Sequence, residues 1–206
     1  MERIQVGIVI FPDVEVLDFC GPFEVFSVAR TSEERRRDEP SPFAVALIAE
    51  DEGVVRAVGG LRVLPDYTLA SAPPLDVLVV PGGWGTRAAI HRTPLIDWIA
   101  ARGGEVATLT SVCTGALLLG RAGLLDGRRA TTHWRSLDWL RESCAATTVE
   151  DALHVVEDGR LLTSAGISAG IDMALKVVSR LCGEVVGRAT ARQMEYPYPD
   201  DNRRRV

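Results

Sequence analysis

Short, β-branched, nearly continuous apolar runs recur along this chain with helix-like segments between them. No other feature narrows the fold as much. Ile4–Ile10 (IQVGIVI), Phe43–Ala49 (FAVALIA), Asp76–Val80 (DVLVV) and Glu105–Leu109 (EVATL) are runs of this kind. Continuous rather than alternating apolar runs imply strands covered on both faces. Between them, Val16, Phe19, Cys20, Phe23 and Phe26 recur at helical spacing, and Leu95–Arg102, Thr114–Gly120 and Ser168–Cys182 are further helix candidates. Alternating β and α segments predict an α/β fold: a doubly wound, mostly parallel sheet with helices on both faces.

Two segments break the alternation. Val54–Leu64 carries Gly59-Gly60 between two short strand-like pieces and reads as a hairpin. Leu153–Thr163 reads the same way, with Asp158-Gly159 at the turn. Thr31–Pro42 reads as a charged surface loop or a frayed helix end, and the proline-broken tail after Glu195 as an extended arm.

The 206 residues, 47% hydrophobic and 25% charged, are expected to form one domain spanning 1–206. With 28 acidic against 23 basic residues the net charge is −5, which argues against a dedicated nucleic-acid binder. No apolar run approaches the ~18 residues of a membrane span, and MERIQVGIVIF lacks a signal-peptide cleavage pattern. The expectation is a soluble cytoplasmic domain that contacts neither membrane nor nucleic acid. Cys20, Cys113, Cys144 and Cys182 are scattered, with no C-x-x-C pair. A disulfide framework is not expected, and neither is a metal site, because no His, Cys or Glu residues fall at ligand spacing.

In an open parallel sheet, ligands bind beyond the carboxyl ends of the strands. Three segments reach that edge with unusual residues. In Val106–Leu119 (VATLTSVCTGALLL) a strand ends near Ser111-Val112, Cys113 follows, and Thr114-Gly115-Ala116 opens a helix. This is a nucleophile elbow: the turn exposes the side chain and the helix start supplies free N–H groups. Such a field favours thiolate over thiol. The bland alternative, a buried small hydrophobe, fits the other three cysteines better. In Val77–Gly85 (VLVVPGGWG) a strand ends in Pro81-Gly82-Gly83, which is either a simple turn or a backbone clamp for developing charge. In Phe11–Phe26 (FPDVEVLDFCGPFEVF), Asp13 reads as turn chemistry and Glu15 as a solvent charge. Asp18 is either a helix cap ahead of Pro22 or a desolvated acid near the thiol, and Glu24 is similarly ambiguous. His133, in ATTHW, either lines the pocket or is a hydrogen-bonded core residue.

These residues carry a resemblance. Pro81–Gly83, the S-V-C-T-G-A elbow at Ser111–Ala116 and L-L-D-G-R-R-A-T-T-H-W at Leu124–Trp134 resemble the ThiJ/PfpI superfamily. The L-D-F-C-G-P-F-E-V-F stretch at Leu17–Phe26 narrows it to the isocyanide hydratases and the amidase-like domains of AraC-type regulators. Ser164–Leu175 and Met194–Pro199 extend the likeness over almost the whole chain. The resemblance implies a flavodoxin-like fold and a homodimer. A regulator would continue for about 100 residues with helix-turn-helix elements, so the hydratase branch is the expectation. Peptidase-like members carry His after the nucleophile and Glu where Asp18 stands; here the residue is Thr114, which argues against peptidase activity.

The resemblance also implies roles. Cys113 would attack an isocyanide carbon, giving a thioimidate that water converts to an N-substituted formamide. Asp18 would supply the proton, and Asp18 and Thr114 would position the water. Backbone N–H groups of Gly83 and Thr114 would stabilise charge. Phe19, Trp84, His133 and Ile167 would line the pocket around a small-molecule substrate, without any cofactor. The alternatives are a binding or redox-sensing module of the same fold, or another hydrolase or lyase.

Overall fold

The computed structural model describes residues 2–205. Eleven strands form in chain order: β1 (Ile4–Val9), β2 (Phe43–Ala49), β3 (Val55–Arg56), β4 (Arg62–Val63), β5 (Tyr67–Thr68), β6 (Val77–Val80), β7 (Thr108–Val112), β8 (Arg129–Ala130), β9 (Thr148–Val149), β10 (Val155–Asp158) and β11 (Leu161–Ser164). The helices are α1 (Val16–Val28), α2 (Thr86–Ala89), α3 (Thr93–Glu105), α4 (Gly115–Arg121), α5 (Leu137–Ser143), α6 (Ala169–Cys182) and α7 (Glu184–Gln193).

Seven strands make one sheet in the order β10-β11-β7-β6-β1-β2-β5. Every pairing in it is parallel except β10 with β11. The continuous apolar runs have the predicted consequence: β6, β7 and β11 are buried along their whole length. Helices α1, α6 and α7 pack together as one group and α2, α3, α4 and α5 as another. The two groups are the two helical layers of the expected flavodoxin-like α/β fold.

The chain leaves β1 through α1 to β2 on one side, then returns to place β6 on the other side of β1. This reversal opens a crevice at the carboxyl ends of β1, β6 and β7, where such sheets bind ligands. The β3–β4 hairpin braces the loop after β1, because Asp13 N–H donates to Arg56 O and Val58 N–H to Val14 O.

Two expectations shift in detail. The strand expected over Glu105–Leu109 is β7 at Thr108–Val112, since Glu105 closes α3 instead. The second hairpin turns on Gly159-Arg160, because Asp158 still pairs with Leu161. The extended arm is tied to the body: Asn202 exchanges hydrogen bonds with Val155, and Arg203 bridges Leu153. Among the described residues no helix is long and apolar enough to cross a membrane.

Candidate active site

The Cys113 elbow has the shape its sequence announces. Its φ is +57°, a left-handed conformation that costs a non-glycine residue on the order of 1–3 kcal/mol. Surrounding bonds hold it there. Cys113 N–H donates to Ser164 O and Ala165 O, each at 3.2 Å, and Thr132 Oγ1 donates to Cys113 O at 2.7 Å. Helix α4 begins two residues later, laid so closely on β6 that a Cβ on Gly115 would collide with Val80 O.

Asp18 approaches from the β1 side. It is not a helix cap: Glu15 occupies that position, and Asp18 is the third residue of α1, with Pro22 in the helix interior. Its carboxyl is wholly buried. Oδ2 accepts the Gly82 N–H at 3.0 Å, while Oδ1 has no nitrogen or oxygen partner. The Cys113 thiol is the hydrogen-bonding group beside it. Burial raises the Asp18 pKa well above the usual carboxylate range, against the pull of the Gly82 N–H, and the Glu15 charge adds to the rise.

The thiol corrects one expectation. Cys113 is only 5% exposed, and its pKa moves up rather than down. Burial is the main cause and the Asp18 carboxyl the next; the Thr114 N–H opposes both without prevailing. The resting site therefore favours a protonated dyad, not a free thiolate. Burial also raises Cys20, Cys144 and Cys182, as expected of packing residues.

The Pro81-Gly82-Gly83 loop is a brace more than a clamp. Gly82 N–H is used by Asp18, and Gly83 N–H donates to Thr114 Oγ1 at 2.9 Å. Gly83 N–H is therefore not free to hold developing charge as expected. The Thr114 hydroxyl also meets Thr86 Oγ1 at 2.8 Å and Gly83 O at 3.3 Å, so it holds the loop, while its backbone N–H faces the sulfur. Gly83 has φ +133° and forms an antiparallel bridge with Val14; a Cβ there would strike the 13–15 backbone.

A cavity of about 330 Å³ opens above Cys113 and Thr114. Trp84, His133 and Ile167 line it as expected. Phe19 does not: it is 2% exposed and packs in the core, because the α1 turn that buries Asp18 also carries Phe19 inward. His133 lies beside the thiol, since a Cβ on Gly166 would clash with its ring and stand 3.0 Å from Cys113 Sγ. Its Nδ1 accepts the Arg135 N–H at 3.3 Å, so the remaining proton sits on Nε2. Burial, with the charges of Arg135 and Arg204, lowers its pKa and keeps the ring neutral. Glu24 is exposed. Glu15, Arg87, Trp134, Arg135 and Ser136 complete the wall, and sequence reasoning missed all five. Only Glu15 drew notice there, as a solvent charge. Among the described residues no three His, Cys, Asp or Glu side chains converge as a metal site would require.

The model of the DJ-1/PfpI family matches residues 4–180. The chain belongs to the DJ-1/PfpI family. Among curated relatives, an isonitrile hydratase of Pseudomonas putida is 38% identical over 193 residues, which cover 94% of this chain and 78% of the relative. The HTH-type transcriptional regulator CdhR of Pseudomonas aeruginosa is 33% identical over 84% of this chain, but the match spans 49% of the regulator. Among solved DJ-1/PfpI structures, a ThiJ/PfpI family protein from Pseudomonas syringae superposes with a TM-score of 0.84 at 32% identity, covering 98% of this chain and 79% of that one. Drosophila melanogaster DJ-1beta shares the fold, with a TM-score of 0.79 at 22% identity.

Proposed function

We propose that this DJ-1/PfpI protein is an isocyanide hydratase, adding water to R–N≡C to give an N-substituted formamide. The observation that carries this reading is the buried Asp18 carboxyl against the Cys113 thiol at the floor of the cavity, both biased toward their protonated forms. An isocyanide carbon needs a soft nucleophile and a proton donor at the same place. The 38% identity to an isonitrile hydratase supports the same reading.

The steps balance without an external reagent beyond water. Cys113 sulfur bonds to the terminal carbon while Asp18 gives its proton to that carbon. The Asp18 carboxylate takes up the thiol proton, leaving a thioimidate and a neutral carboxyl. Water attacks the thioimidate carbon, Asp18 protonates the nitrogen and accepts a proton from the water. Collapse breaks the C–S bond, forms the formamide carbonyl and returns the hydroxyl proton to sulfur. The Thr114 N–H faces the sulfur through both steps.

Cys113→Ala should abolish formamide production, so that the isocyanide stretching band persists. Retained turnover in that variant would sink the mechanism. The redox-sensing alternative needs an exposed thiolate, whereas Cys113 is buried with a raised pKa. Mass spectrometry after mild peroxide tests it: rapid stoichiometric oxidation of Cys113 with no isocyanide turnover would favour sensing.

A further inference from the structure

The chemistry above uses the floor of the cavity and leaves its rim unexplained. Two arginines stand there, each with its guanidinium over a tryptophan ring. The Arg87 guanidinium carbon is 4.9 Å from the Trp84 ring and 5.6 Å from the Trp139 ring. That of Arg135 is 4.7 Å from the Trp134 ring, which itself stacks on His133. Both arginines line the cavity. Neither forms an ion pair among the described residues, although eleven ion pairs elsewhere engage an arginine.

Stacking fixes a guanidinium by its face and leaves its edge, with the N–H fork, free. That edge matches a carboxylate, and the fixed orientation reduces the entropy lost when one binds. The rings themselves are unusually open for their size: Trp84 is 63% and Trp134 49% exposed. Ile167, also partly exposed, continues the same apolar surface toward Cys113. Charge at the cavity wall consists of Arg87 and Arg135 against Glu15. Glu15 acts on Asp18, buried behind Cys113, and His133 is held neutral. The rim therefore carries a net positive field.

We infer that the rim is a carboxylate subsite, and that the substrate class is an isocyanide whose R group joins a flat or branched apolar body to a carboxylate. The isocyanide end reaches Cys113, the apolar body lies on Trp84, Trp134 and Ile167, and the carboxylate meets Arg87 and Arg135. This rests on the hydratase reading for the reacting group but on the rim alone for the carboxylate.

The test is binding of product-like formamides to the full chain, read by tryptophan fluorescence. N-formylphenylalanine should bind about tenfold tighter than N-formylphenylalanine amide. The double variant Arg87→Gln/Arg135→Gln should erase that difference, and Arg87→Lys/Arg135→Lys, which keeps the charge, should retain part of it. Circular dichroism checks that each variant is folded. Equal affinity of acid and amide, binding of neither, or a preference that survives the glutamine pair would overturn the inference. Turnover of a neutral alkyl isocyanide is measured in parallel. Turnover without a carboxylate preference sinks only the subsite, and a carboxylate preference without turnover sinks only the hydratase reading.

Discussion

At the scale of single residues, the site is shaped by where protons are held. Asp18 sits in a wholly buried position with one N–H donor, so its neutral form is favoured. An unfolded aspartate titrates near ~3.9. As pH rises through that value, the unfolded chain loses its proton while the native state keeps it. The Asp18 contribution is thus fully present below about pH 4 and is lost as pH rises through the folded pKa. Asp18→Asn never titrates, and its side-chain oxygen can still accept the Gly82 N–H. The variant should melt a few degrees above the wild type at pH 8, with the gap closing toward pH 4, and its turnover should fall steeply. Melting curves across that range check it; a gap independent of pH would contradict the assignment. The sequence marked Cys113 by its elbow pattern, but left Asp18 between helix cap and acid until the family resemblance made it a catalytic candidate. It could not give the direction of the thiol shift. Helix-start geometry is local and argues for thiolate, whereas desolvation and the Asp18 carboxyl come from elements far away in the chain.

At the scale of elements, close packing sets the geometry of the elbow. Helix α4 rests on the end of β6 with no space for a side chain at Gly115. Gly115→Ala should cost about 1–3 kcal/mol, since the helix must lift from the strand. Urea unfolding measures the loss, and turnover should fall further than stability because Thr114 N–H moves with the helix. A fully stable variant would mean the contact yields easily. Some elements were legible almost to the residue: β2 matches its predicted bounds and α6 starts one residue late, whereas α3 extends two residues before and three beyond its reading and α7 was not read at all. The strand β7 was read three residues early. Glu105-Val106-Ala107 is as apolar and β-compatible as a strand start, and only the continuing α3 hydrogen bonds claim Glu105 for the helix.

At the scale of the whole molecule, a buried carboxyl ties the two ends of the last third together. Asp172 of α6 has no exposure. Its Oδ2 lies 3.0 Å from His154 Nε2 and 3.1 Å from an Arg205 nitrogen, and its Oδ1 accepts from Tyr196 at 3.2 Å. The tail is thereby locked over α6 and the β10 edge. Asp172→Ala removes the counter-charge of Arg205 and the acceptor of Tyr196 and should destabilise the fold by about 1–2 kcal/mol, because the half-exposed Arg205 is partly rehydrated. Denaturant midpoints for this variant and for Arg205→Met, which strands the buried Asp172 carboxyl and should lose at least as much, test the tie. Equal, negligible losses would show that the tail is held by Asn202 and its backbone contacts instead.

What the sequence determined by itself is what local pattern can encode. Apolar runs set the strands, helical periodicity set the helices, and their alternation set a parallel sheet whose carboxyl edge must hold the site. The S-V-C-T-G-A elbow marked Cys113 as the candidate nucleophile. The tertiary structure decided what depends on neighbours distant in the chain. It buried Asp18 beside Cys113 across 95 residues of separation, counting from 18 to 113. It turned Phe19 into the core and gave the N–H groups of Gly82 and Gly83 to Asp18 and Thr114. It also gathered Arg87 and Arg135 onto tryptophans at one rim. Desolvation and charge fields act through space, so no spacing rule along the chain could have stated them.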